Sequence, residues 1–275
     1  VQDERPPSAR LDTNKPSIAR VYDASLGGKD HYAVDREVFE QIRAVAPYQG
    51  DVSRMNRHFL VRVVRYLAGR VGVDQFLDLG SGLPTVQNTH EVAQHSNPGA
   101  RVVYVDNDPI CNAHGRALLE ENERTHFVEA DLTEPADLLA NPEITAHLDL
   151  SRPLVLMQIG TLHHVADERD PAALMRAYVD ALPSGSYVAL THFWDPEDED
   201  PELHRRARAL EHQVREAGMG TGWWRGRDAI ASYFGGLDMV PPGLVELDDW
   251  WPDGPRMREA WPEEHLMLGG VAHKP

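Results

Sequence analysis

The chain has 275 residues, 41% of them apolar, which suits one large α/β domain and excludes wholesale disorder. Its 27 basic and 44 acidic residues leave a net charge of −17, a surface that repels nucleic acid and anionic membrane and favours a small-molecule partner. The single cysteine, Cys111, rules out an intramolecular disulfide and a Cys-based zinc cluster and fits a reducing cytoplasm.

No apolar run is long enough to cross a bilayer. The opening VQDERPPSAR is polar and Pro-containing, unlike a secretory leader. The missing initiator Met points to a trimmed or processed start, and residues to about Asn14 read as loosely held. A short apolar segment follows, broken at Gly27 and Gly28, with a helical pattern from Val34. DVSRMNRHFLVRVVRYLAGRVG predicts a helix with Phe59, Val63, Val64 and Leu67 on one face, ending at Gly69 or Gly72. These apolar N-terminal helices also offer a face for a homodimer.

Strand and helix patterns then alternate. Strands are predicted at Phe76–Leu79, Arg101–Val105, His126–Glu129, Leu154–Ile159 and Tyr187–His192. Helices are predicted at Thr85–Gln94, Pro109–Asn122, Pro135–Ala140 and Pro171–Leu182. Such alternation implies a parallel sheet covered on both faces. An acidic lead, DPEDED, opens a further helix whose N-terminal dipole it suits. LDMVPPGLVEL and EHLMLGGVAHK read as two final strands pairing with each other at the sheet edge. One domain spans residues 1–275, with a helical cap or lid over 1–72 and the core over 73–275.

In such a sheet ligands bind at the carboxyl ends of the strands. QFLDLGSGLPT ends the first strand in Gly80-Ser81-Gly82, with a helix starting at Pro84 or Thr85 whose free N–H groups attract an anion. A dinucleotide turn places a third glycine where Thr85 stands. S-adenosylmethionine has no pyrophosphate, so a looser turn serves it. Asp106, ending RVVYVD, is placed to take both ribose hydroxyls, while Asp108 suits a helix cap. Asp131, in FVEADLTEP, lies at the same edge, where it either meets the adenine amino group or serves as a turn acid.

With ARVYDASLGGKDHYAVDRE, MNRHFLVRVVRYLA, NTHEVAQ, LHHVAD and GLDMVPPGLVEL added, the chain resembles class I, Rossmann-like S-adenosylmethionine-dependent methyltransferases. More closely, it resembles the actinobacterial S-adenosyl methyltransferase family long catalogued as a domain of unknown function. The resemblance implies a seven-stranded sheet with an antiparallel last strand. It implies that Gly80, Ser81 and Gly82 cradle the methionine end, with Pro84 and Thr85 following. Asp106 and Asn107 then hold the ribose, Asp131 and Leu132 meet the adenine, and Gln158-Ile159-Gly160 pass beneath the sulfonium. Small residues at Ala24 and Ser25 and a histidine at His31 depart from the family pattern and bear on the substrate pocket.

Methyl transfer needs alignment and water exclusion, and a base only where the acceptor must lose a proton. Tyr22 and Gly28 belong to RVYDASLGGKDHY, read either as a lid over the cofactor or as a packed turn. His163, His164, His192 and Trp194 fall at the active edge: a histidine there is a substrate contact, a base or a packed ring, Trp194 walls an acceptor pocket or packs in the core, and His163, His192 and Tyr22 are the catalytic candidates. Trp223, Trp224 and Arg225 read as packing or as pocket wall, and Arg57 as an ion pair to the acidic N-terminal segment. No metal set is predicted, since His163 and His164 are adjacent and His90 and His95 lie elsewhere. The leading reading is a methyltransferase for a small molecule, yielding S-adenosylhomocysteine. The alternatives are a silent cofactor-binding regulator, which a sealed pocket favours, and an NAD(P)-dependent oxidoreductase, which Thr85 and Asp131 disfavour.

Overall fold

Gly27 and Gly72 set the limits of the first helical layer. The computed structural model describes residues 13–120 and 122–275, so the expectation for the polar start falls almost wholly outside it. Three helices come first: α1 (Ile18–Leu26), α2 (Ala33–Val45) and α3 (Gln49–Arg65). Gly27 closes α1 with a left-handed φ of 75°. α3 buries Phe59, Val63 and Val64 as their spacing requires, runs on through a wider turn at Tyr66–Val71, and stops at Gly72 with φ 87°. The apolar faces of α2 and α3 pack onto the core.

The alternation follows: β1 (Gln75–Leu79), α4 (Thr89–Ser96), β2 (Arg101–Asp106), α5 (Pro109–Leu118), β3 (Thr125–Glu129), α6 (Pro135–Leu139), α7 (Pro142–His147), β4 (Val155–Ile159), α8 (Pro171–Ala181), β5 (Tyr187–Phe193), α9 (Pro201–Val214), α10 (Arg227–Ser232), β6 (Asp238–Met239), β7 (Val245–Glu246) and β8 (Met267–His273). The sheet order is β3-β2-β1-β4-β5-β8-β6, with β7 also on β8. β1 to β5 are mutually parallel, and β8 runs antiparallel to β5.

The sheet has eight strands, one more than expected. LDMVPPGLVEL does not form one strand, because Pro241 and Pro242 have no N–H to donate. It yields β6 and β7, two residues each, both pairing with β8. β8 therefore lies between β5 and β6 and not at the edge.

Alternate residues of the strands serve opposite faces. Phe76 and Val102 join Phe59 and Trp250 under α3 and α4, while Leu77, Val103 and Leu156 join Tyr178 under α8. A third cluster joins Val21, Val38 and Ile42 of the first helices to Leu210 and Val214 of α9 and to Trp224. This cluster sets α1 and α2 across the carboxyl ends of the strands. A buried ion pair locks the two helices: Asp35 accepts from Arg20 at 2.8 Å and from the backbone N–H groups of Ser17 and Tyr32.

Candidate active site

Strand order reverses between β1 and β4, and the chain opens there on a cavity of about 770 Å³. Gly80, Ser81 and Gly82 form its floor. Both glycines have φ 68°, a conformation that costs any other residue. A Cβ on Gly80 would stand 2.4 Å from Thr161 Cγ2, so loop and loop touch directly. Gly80 and Ser81 donate their N–H groups to the Val105 carbonyl, tying the turn to β2. The Ser81 hydroxyl is buried without a hydrogen-bond partner. An orphaned polar atom on a cavity floor fits a polar ligand there.

Asp106 accepts the Gly82 N–H at 2.8 Å and the Asp108 N–H at 2.9 Å, which aims its carboxylate along the cavity rim. Burial raises its pKa, and those two backbone donors work against the rise. Asp108 caps α5 through the Ile110 N–H, as expected, and its second oxygen accepts from Ser17 at 2.5 Å, pinning the start of α1 to this wall of the cavity. Asn107, Asp131, Leu132, Ile159 and Gly160 also line the cavity. Asp131 is exposed and makes a tight turn with Thr133, accepting from both its N–H and its hydroxyl at 2.8 Å.

Several expected positions lie elsewhere. Pro84 and Thr85 do not begin a helix: α4 starts at Thr89, capped by Asn88 and Glu91, and Gln87 breaks the chain before it with φ 59°. That capping box uses the N–H groups expected to face the ligand and adds an acid. Neither Pro84 nor Thr85 lines the cavity. Gly28 is also outside it. It makes room for Asp23, whose carboxylate would lie 1.9 Å from an added Cβ and which takes the Asp30 N–H and the His31 ring. Gln158 is fully buried behind the wall, its Oε1 accepting from Thr161.

The two histidine candidates separate. His192 is sealed in the core: its Nδ1 meets the Phe193 carbonyl and its Nε2 accepts from Arg225 at 2.9 Å. Burial pushes its pKa down to about 3, which keeps the ring neutral, and both of its nitrogens are engaged within the protein. His163 lines the cavity, and its Nδ1 is buried without a partner. Burial holds its pKa well below the ordinary imidazole value, which keeps the ring neutral. It stacks on Phe193 at 3.8 Å, and Phe193 stacks on Trp224 at 4.2 Å. His164 is likewise neutral, lowered to about 4 by burial, and meets the Thr221 hydroxyl.

Tyr22 reaches the cavity from α1. Its hydroxyl donates to the Ser53 carbonyl at 3.1 Å and accepts from Asn56, which in turn accepts from Thr191 of β5. Burial raises its pKa. Trp194 is buried away from the cavity, whereas Trp224 lines it. Sequence reasoning missed two organisers. Asn56 looked like any polar helix residue, and its role depends on partners 34 and 135 residues away. Arg225, expected to pack or to wall the pocket, instead donates to the Leu162 and Val165 carbonyls and to Asp167, shaping the loop that carries His163. Arg57 makes no ion pair among the described residues. Its guanidinium donates to the Gln87 carbonyl at 2.9 Å, and the acidic N-terminal segment expected to pair with it lies outside the described residues.

One end of the cavity is therefore polar and acidic, with glycine turn, Asp106 and Asp131. The other is walled by His163, Phe193, Trp224, Tyr22 and Met219. No helix among the described residues is long and apolar enough to cross a membrane.

A structure of a candidate methyltransferase from Thermobifida fusca YX is 43% identical, with TM-score 0.89 over 99% of both chains. A duf574 family protein from Streptomyces avermitilis is 37% identical, with TM-score 0.89 over 97% of this chain and 100% of that one. Human N-acetylserotonin methyltransferase, solved in complex with SAM, shares only the fold, at 15% identity and TM-score 0.51 over 94% of this chain and 63% of that one. A search of curated proteins finds no match. The family described as S-adenosyl methyltransferase matches residues 4–275. With that match over nearly its whole length, the chain belongs to the S-adenosyl methyltransferase family and has the fold of its S-adenosylmethionine-dependent enzymes.

Proposed function

We propose that this methyltransferase binds S-adenosylmethionine at the polar end of the cavity and methylates a small molecule held at the aromatic end. The observation that carries this reading is the continuity of the two ends: one open cavity runs from Asp106 and Gly80 to His163 and Trp224. A sealed pocket would have suited a silent binding protein. The cofactor supplies a methyl group on positively charged sulfur, so transfer is an in-line displacement that asks chiefly for alignment.

The chain's residues divide that work. Asp106 and Asn107 hold the ribose, and Asp131 and Leu132 meet the adenine. Ser81, Gly80 and Gly82 receive the methionine end. Ile159 and Gly160 flank the reacting centre. Tyr22 and the neutral His163 orient the acceptor, and the stacked rings exclude water. Residues 1–72 act as the cap and 73–275 as the core of one unit. The unpartnered Nδ1 of His163 supports a hydrogen-bond role toward the acceptor.

Calorimetric titration with S-adenosylhomocysteine, with NAD in a parallel experiment, tests the cofactor half. Micromolar binding of the first and none of the second is expected, and Asp106→Ala should weaken binding at least a hundredfold. Binding of NAD alone would sink the reading.

A further inference from the structure

The cavity does not have one chemistry throughout. At about 770 Å³ it lies in the upper part of the ~300–1,000 Å³ range of small-molecule sites, which leaves room for a second ligand beside a cofactor. The charged side chains of its lining belong to the polar end and to the start of α1. Asp78, Asp106, Asp108 and Asp131 stand at the ends of β1, β2 and β3, and Arg57 holds the Gln87 carbonyl. Lys15 and Arg20 flank Ser17, which donates to Asp108, and Arg20 is engaged by Asp35.

The other end differs. Every lining residue supplied by α2, β5, α9 and the segments that follow β4 and α9 is uncharged. His163 and His164 are the titratable groups among them, and burial keeps both rings neutral. Polar groups nearby are answered within the protein. His164 meets the Thr221 hydroxyl, and the Tyr22 hydroxyl lies between the Ser53 carbonyl and Asn56. An ion seated here would find no counter-charge, and burying an unpaired charge is costly. What this wall offers instead is ring surface. His163, Phe193 and Trp224 form a column, with centroids 3.8 and 4.2 Å apart and planes 26° and 8° from parallel. Phe39 and Tyr22 add rings from α2 and α1, and Met219 adds a thioether. Rings and thioethers gain more from another ring than from a saturated chain, through edge, face and sulfur contacts.

We infer that the methyl acceptor is an uncharged aromatic molecule, seated against the column of His163, Phe193 and Trp224. The inference rests on the proposed function, in which this end of the cavity holds the acceptor.

The test uses four probes built on one skeleton: 2-naphthol, 2-naphthoate, 2-naphthylmethylammonium and the saturated decahydro-2-naphthol. Each is titrated calorimetrically at pH 7.5 into protein already saturated with S-adenosylhomocysteine. 2-Naphthol should bind at least tenfold more tightly than any of the other three. Trp224→Leu should weaken 2-naphthol at least fivefold and leave S-adenosylhomocysteine within twofold, which also shows that the variant is folded. Met219 is only half-buried, so Met219→Lys spares the core; it should strengthen 2-naphthoate at least fivefold by supplying the missing counter-charge. Equal or tighter binding of either ion by wild type would overturn the uncharged character of the acceptor. Equal binding of the saturated alcohol would overturn its aromatic character, and no binding of 2-naphthol would overturn both. Unchanged 2-naphthol binding by Trp224→Leu, or unchanged 2-naphthoate binding by Met219→Lys, would overturn the placement. If S-adenosylhomocysteine itself does not bind, the cofactor reading fails and the inference falls with it; if it binds, only the acceptor class is at stake.

Discussion

Asp78 lines the cavity at a cost to the stability of the fold. Burial pushes its pKa from the ordinary 3.8 up to about 6, against the pull of the Thr89 hydrogen bond and of Arg57, while Asp106 adds to the rise. A carboxyl raised on folding favours the native state most when protonated. Its contribution is therefore full below pH 3.8 and lost as pH rises through about 6. Replacing it with Asn should stabilise the protein at pH 7.5 by up to about 3 kcal/mol, and the gain should vanish below about pH 4. Urea unfolding of Asp78→Asn at both pH values measures this; equal stability of variant and wild type at pH 7.5 would refute it. Gly80 gives a second residue-scale expectation. Gly80→Ala combines a φ of 68° with a methyl 2.4 Å from Thr161, and should abolish cofactor binding while shifting the melting temperature downward.

The cap helices set the next scale. α1 and α2 are not loosely hinged, because Asp35 is fully buried and holds Arg20, Ser17 and Tyr32 together. Removing one partner of such a group leaves a buried charge unmet, which typically costs about 3–5 kcal/mol. Asp35→Ala should lose about that much stability, and hydrogen exchange should rise first in residues 18–45. Uniform exchange over the whole chain would show that the cap does not open separately from the core. In the segment expected to form a lid, α1 lines the cavity, Gly27 ends that helix and Gly28 makes room for Asp23. At the far side, Arg225 fastens the loop after β4 to the segment before α10, so Arg225→Met should displace His163 as well as destabilise the fold.

For the whole molecule, the net charge of −17 dominates long-range electrostatics. Repulsion among excess acids opposes compaction and is screened by salt. Added potassium chloride, to about 0.3 M, should raise the melting temperature. A fall would mean that surface pairs such as Arg152–Asp74 and Arg169–Glu134 outweigh the repulsion.

The alternation from β1 to β5, and the glycine turn and acids at the strand ends, were legible in the residues alone. Strand and helix periods are local, and residues where a parallel strand ends must gather at one edge of the sheet. The family resemblance rested on the same local stretches. What the residues could not decide was which way each side chain at that edge would point. His163 and His192 look alike in sequence, yet one lines the cavity and the other is sealed by Arg225, 33 residues further on. Pro84 looked like a helix start until Asn88 and Glu91 formed a better cap. Arg57 lines the cavity and holds the Gln87 carbonyl, 30 residues further on. Local pattern determined the order of elements and the edge at which the site lies. Contacts between residues far apart in the chain decided which groups are buried, charged and free to meet a ligand, because burial and pairing depend on the whole packed surroundings.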